Sequence, residues 1–118
     1  MAAADDAMLA EFAKTAGKPI TCKAAVAWSA NQPLSDETVV VEGNHYFPPS
    51  GLREAHLRPS EHRTACPWKG TAGYFDVVVG DEVNPNAAWV YRDPTSAAAE
   101  IRDHVAFWMG VQVRETEG

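Results

Sequence analysis

Short β-branched or aromatic runs alternate along the chain with clusters of Gly, Pro, Asn and Asp, the texture of many brief strands joined by tight turns. Residues 22–28 and 38–42 read as two strands, separated by the turn formers Asn31, Gln32 and Pro33. Glu42-Gly43-Asn44 follows as a turn. His45-Tyr46-Phe47 then stops at Pro48-Pro49, where no ladder donor is available, which predicts an edge or rim position. Residues 52–57 are a further candidate strand, and 58–63 read as a turn or a single helical turn. Residues 66–70 form a tight loop before a strand over 74–79. Gly80-Asp81 is a two-residue hairpin turn into Glu82-Val83, Asn84-Pro85-Asn86 is the next corner, and 87–91 return as a strand.

Helical spacing occurs twice. Met8, Leu9, Phe12 and Ala13 predict a short helix within residues 2–16, stopped by Gly17-Lys18-Pro19. Asp93 followed by Pro94 is a helix-start signature, and Ala97, Ala98, Ile101 and Val105 recur behind it at helical intervals. After His104-Val-Ala-Phe-Trp108 and the breaker Gly110, Val111 and Val113 alternate as a last strand. The expected fold is mainly β, with compact antiparallel sheets, one C-terminal helix, and a helical or flexible extension over residues 1–19 ahead of a single domain over 20–118.

Composition narrows the function. At 118 residues the chain is shorter than the roughly 150 of an average domain. Ten Lys and Arg against sixteen Asp and Glu leave a net charge of −6, the wrong sign for a dedicated nucleic-acid binder. No run approaches the roughly 18–20 consecutive apolar residues of a spanning helix, so no membrane partner is expected. Asp5, Asp6 and Glu11 come early, and no Lys or Arg precedes Lys14. That fits neither a signal nor a transit peptide and predicts a cytoplasmic address. Cys22 and Cys66, the two cysteines, read as reduced thiols.

Four phrases stand together: Val41-Glu-Gly-Asn-His-Tyr-Phe-Pro48; Ser60 with Thr64-Ala-Cys-Pro-Trp-Lys-Gly70; Ala87-Ala-Trp89 with Tyr91; and His104-Val-Ala-Phe-Trp108. In this order they resemble the domain-of-unknown-function family numbered 427, over roughly residues 23–114. The resemblance implies a compact fold similar to the β-tent group, and no activity. The nucleotidyltransferase label sometimes given to that family needs a Gly-Ser opening and a paired Asp-x-Asp for two metals, and neither is present. Two isolated cysteines also cannot build the double Cys-x-x-Cys zinc knuckle of many β-tent proteins. A shorter likeness, in residues 22–28 with Pro33-Leu34, is similar to the opening strand of zinc-dependent medium-chain alcohol dehydrogenases. It is read as similar strand chemistry, because no cofactor glycine motif or catalytic zinc cluster follows.

The candidate chemistry centres on one loop and several aromatics. Cys66, close in sequence to Lys69, is a candidate catalytic nucleophile with His45 or His62 as base, set against a small thiol that simply packs. Lys69-Gly-Thr-Ala-Gly73 lacks the order of a phosphate loop but leaves Lys69 as a lone cation for an anionic ligand. Glu54, His56, Glu61 and His62 are a weak oxygen and nitrogen set, read as solvated, so no metal and no cofactor are expected, and His104 reads as a cap or a core hydrogen-bonder rather than a base. Among Trp28, Trp68, Trp89, Trp108, Tyr46, Phe47, Tyr74 and Tyr91, those beside turn residues suggest an aromatic-lined cleft. The expected ligand-binding residues are Glu42, Asn44, His45, Tyr46, Trp68, Lys69, Trp89 and Tyr91. The expected partner is an unidentified small molecule, bound by a monomer or weak homodimer. Within the β-tent resemblance the ligand is planar or cationic. The alternatives are a thiol-dependent enzyme using Cys66 and a protein-interaction module presenting the aromatic rim.

Overall fold

A computed structural model describes residues 7–12, 25–29 and 38–116. Nine strands dominate it: β1 (Ala7–Phe12), β2 (Ala25–Ser29), β3 (Val39–Val41), β4 (Asn44–Tyr46), β5 (Leu57–Cys66), β6 (Gly70–Val79), β7 (Glu82–Val90), β8 (Val105–Phe107) and β9 (Val111–Thr116). They form three antiparallel sheets, ordered β2-β1-β9, β3-β4 and β5-β6-β7-β8. The fold is mainly β, as the alternating pattern predicts. Among the described residues no helix is long and apolar enough to cross a membrane.

Turn chemistry sets the register. Glu42-Gly43 joins Val41 to its partner Asn44, and both turn residues have positive φ, 54° and 80°, as a type I′ hairpin requires. Gly80, at φ 59°, opens the two-residue turn between the paired Val79 and Glu82. Alternation then sends neighbouring side chains to opposite faces. Ala88 and Val90 of β7, with Val105 and Phe107 of β8, join Val77, Phe47, Ala10, Val26 and Val111 in an apolar core against the β2-β1-β9 sheet. Tyr46, Ala72, Tyr91, Ala98, Ile101 and Ala106 fill a second core on the other face, beneath the β3-β4 hairpin.

Several expectations need correction. The segment read as an N-terminal helix is strand β1 over residues 7–12, hydrogen-bonded between β2 and β9; ladder pairing with two distant strands overrides the helical propensity of its alanines. Cys22, and the other residues expected in strand or turn over 22–24 and 30–37, lie outside the described residues. The expected C-terminal helix is a 3-10 stretch, Ser96–Ile101, broken at Ala98 (φ −119°, ψ 25°). Its i, i+3 spacing turns Ala98 and Ile101 into the same core, and Val105 belongs to β8. The candidate strand over 52–57 is mostly a 3-10 turn at Glu54–His56. The expected turn over 58–63 is the body of β5, where an edge position and a register shift between Pro59 and Arg63 accommodate the missing donor. Asn84-Pro85-Asn86 is a bulge inside β7 rather than a corner. It is held by Asn86, whose N–H donates to Asp76 Oδ1 at 2.9 Å and whose carbonyl accepts from Trp108 Nε1 at 2.7 Å. Tyr46 and Phe47 do not lie on a rim: both are fully buried, and Phe47 exchanges backbone hydrogen bonds with Val105 at 2.7 and 2.9 Å.

Candidate functional site

The hairpin β5-β6 turns through Pro67-Trp68-Lys69, and Gly70 closes it at φ 115°. A side chain at Gly70 would press against the Asp93 carbonyl at 3.3 Å, so glycine lets this loop lie on the segment after β7. Thr95 ties the two together: its N–H donates to the Lys69 carbonyl at 3.0 Å and its hydroxyl to the Trp68 carbonyl at 2.5 Å. This docking buries Lys69 to 7% exposure, the lowest of any charged residue described.

The ammonium is met on several sides. Lys69 Nζ donates to Glu42 Oε1 at 2.5 Å, and lies 5.6 Å from the Trp68 ring centre and 5.4 Å from that of Tyr91. The second oxygen of Glu42 accepts from Trp68 Nε1 at 3.2 Å. Burial by itself, the largest single influence, works against the Lys69 charge, yet the hydrogen bond to Glu42 and the electrostatic pull of Tyr46, Tyr91 and Glu42 together outweigh it and hold the group above the ordinary lysine value. The same bond, then that from Trp68, holds the Glu42 carboxyl below its ordinary 4.5. Burial raises the Tyr91 phenol, against the pull of Lys69.

Beside this pair opens a cleft of about 280 Å³ lined by Asn44, Lys69, Tyr74, Trp89, Tyr91 and Trp108. Its wall is an aromatic chain. Trp89 meets Trp108 edge to face at 5.4 Å and Tyr46 at 6.1 Å, and its Nε1 donates to the Tyr46 hydroxyl at 3.1 Å. Of the expected ligand-binding residues, Asn44, Lys69, Trp89 and Tyr91 line the cleft. Glu42 and Trp68 flank it through Lys69, and Tyr46 supports it from behind. His45 points elsewhere, because alternation on β4 sends it to the face opposite Asn44 and Tyr46; its Nδ1 pairs with Thr38 Oγ1 at 2.8 Å. Trp108 and Tyr74 line the cleft without having been singled out for it. Trp108 stands directly before the Met109-Gly110 turn, the same signal that selected Trp68 and Tyr91.

Cys66 is half-buried against the second core, while His62 packs its ring on Tyr74 at 4.6 Å. Glu54 and His56 share a 3-10 turn instead of a strand face, and His56 Nδ1 donates to the Val78 carbonyl at 2.9 Å. Among the described residues no three His, Cys, Asp or Glu side chains come together to hold a metal.

Comparison with known proteins gives two results. S-(hydroxymethyl)glutathione dehydrogenase from Candida maltosa is 74% identical over 74 residues, covering 58% of this chain but only 18% of that protein. The chain spans less than a fifth of that relative's length. The family model described as Domain of unknown function (DUF427) matches residues 22–117, and the chain belongs to that family.

Proposed function

We propose that this domain binds a small planar molecule in the cleft between the β3-β4 hairpin, the 67–69 loop and β7. The observation that carries the reading is the lining: four aromatic side chains share the cleft wall with one buried ammonium and one amide, Asn44. Apolar rings supply contact area and a few polar groups fix orientation, the usual division of labour in ligand sites. At about 280 Å³ the cleft lies at the small end of such sites, so it suits a one- or two-ring compound. A β-tent-like arrangement of the three sheets belongs to the same reading, as does a domain that acts as a monomer or weak homodimer.

A thermal-shift screen of the protein and of Trp108→Ala tests it, using nucleotides, sulfoxides, cyclic amides, quaternary amines and aromatic acids. A ligand at about 100 times its Kd adds roughly 2.7 kcal/mol to stability. The expected outcome is at least one class that stabilises the protein and loses its effect in Trp108→Ala. Folded protein stabilised by no class would end the reading.

A further inference from the structure

Lys69 and its partner are buried very unequally. The Lys69 side chain is 9% exposed, whereas that of Glu42 is 52% exposed and reaches inward from the tip of a hairpin. Glu42 also occupies a left-handed turn position, φ 54°, where Asn, Asp or Gly is favoured and a longer side chain is strained. Turn chemistry therefore does not explain a glutamate here; its carboxylate does. One oxygen sits on Lys69 Nζ and the other on Trp68 Nε1, so the two donors grip both ends of a single carboxylate.

The same geometry decides the charge of a ligand. The faces of Trp68 and Tyr91 already hold the protein's own ammonium, so a second cation entering beside Lys69 would meet like charge. A neutral ligand that displaced Glu42 would leave a buried cation without its counterion, which is strongly unfavourable. An incoming carboxylate keeps the ammonium paired. It sends Glu42 back to water, which solvates the released carboxylate.

We infer that Lys69 Nζ and Trp68 Nε1 form a carboxylate subsite at the end of the cleft. Glu42 fills it in the free domain, and the carboxylate of a planar aromatic monoacid takes it over on binding. This rests on the reading of the cleft as a small-molecule site. Glu42 is then an internal competitor that lowers the apparent affinity by the fraction of time it occupies the subsite.

Isothermal titration with 2-naphthoate and its neutral counterpart 2-naphthamide tests the inference on the protein, Glu42→Gln, Lys69→Met and the double variant. In the double variant no buried charge is left without a partner, so it guards against a misfolded single variant; thermal melts check all four. The parent protein is expected to prefer the acid. Glu42→Gln should bind the acid at least tenfold more tightly while its affinity for the amide changes less than threefold. Lys69→Met and the double variant should lose the preference for the acid. An unchanged or weaker affinity for the acid in folded Glu42→Gln would overturn the subsite, as would a preference that survives in Lys69→Met or the double variant. Amide binding without any preference for the acid would overturn the subsite and leave the cleft standing. Four folded proteins that bind neither compound would remove both.

Discussion

The two faces of the β5-β6-β7-β8 sheet obey one alternation yet have different chemistry. On the face toward β2-β1-β9, Val77, Ala88, Val90, Val105 and Phe107 bring no side-chain polar atom, and the interior is pure apolar contact. On the opposite face the intervening positions are Ala72, Tyr74, Trp89, Tyr91 and Ala106, capped by Tyr46. Large rings there alternate with alanines, leaving room for an indole-to-phenol hydrogen bond, a buried ammonium and a cleft. Moving one residue along a strand is enough to pass from scaffold to site. Stability resides mainly on the first face, and the second gives up close packing for polar handles.

Substituting Phe47 strains this division most. Phe47 is fully buried and packs edge to face on Phe107 at 5.6 Å, so Phe47→Ala should cost about 3–5 kcal/mol in denaturant unfolding. Any folded fraction should keep the environment of its cleft tryptophans; if their fluorescence also shifts, the two faces are not separable.

A carboxylate on the same sheet gives a smaller, pH-dependent effect. Burial alone would raise the Asp76 carboxyl, but the Asn86 N–H and the Arg58 guanidinium, each at 2.9 Å, hold it below its ordinary 3.8. A carboxyl depressed in the folded state adds stability above its unfolded value and loses it as pH falls through the folded value. Asp76→Asn should therefore cost about 1–2 kcal/mol at neutral pH. The difference from the parent should shrink as pH drops below 3.8, in unfolding curves measured across that range. A difference independent of pH would assign the cost to packing of the bulge.

The smallest change probes the site face alone. Tyr46→Phe removes the acceptor for Trp89 Nε1 while keeping the ring, and should cost about 1 kcal/mol. The accompanying shift in tryptophan emission should be larger, relative to the stability lost, than for Phe47→Ala. Equal proportions would mean that the Trp89-Tyr46 bond does not organise the cleft.

Local rules made much of this molecule legible. Gly80-Asp81 and Glu42-Gly43 announce hairpins because only certain residues tolerate positive φ. Tyr91 is legible as a cleft residue because it stands beside turn residues at a strand end, Trp89 because it shares that strand, and Asn44 and Lys69 as the polar groups of neighbouring turns. The failures share one cause: the competing partner was far away in sequence. Residues 7–12 have the composition of a helix, and only β2 and β9 make them a strand. Asn84-Pro85-Asn86 has the composition of a corner, and Asp76, Ser60 and Trp108 bond Asn86 into a bulge. His45 was placed with its neighbours because the face it takes depends on register, and one residue of phase reverses it.

The sequence by itself determined a mainly β chain with its turns, its acidic balance and its family phrases, since these depend on backbone preferences and composition within a few residues. Tertiary structure alone decided that Glu42 meets Lys69 across 27 positions, and that Tyr46 meets Trp89 across 43. The burial that gives an ammonium its counterion, and a phenol its indole, is created only when the sheets close over them.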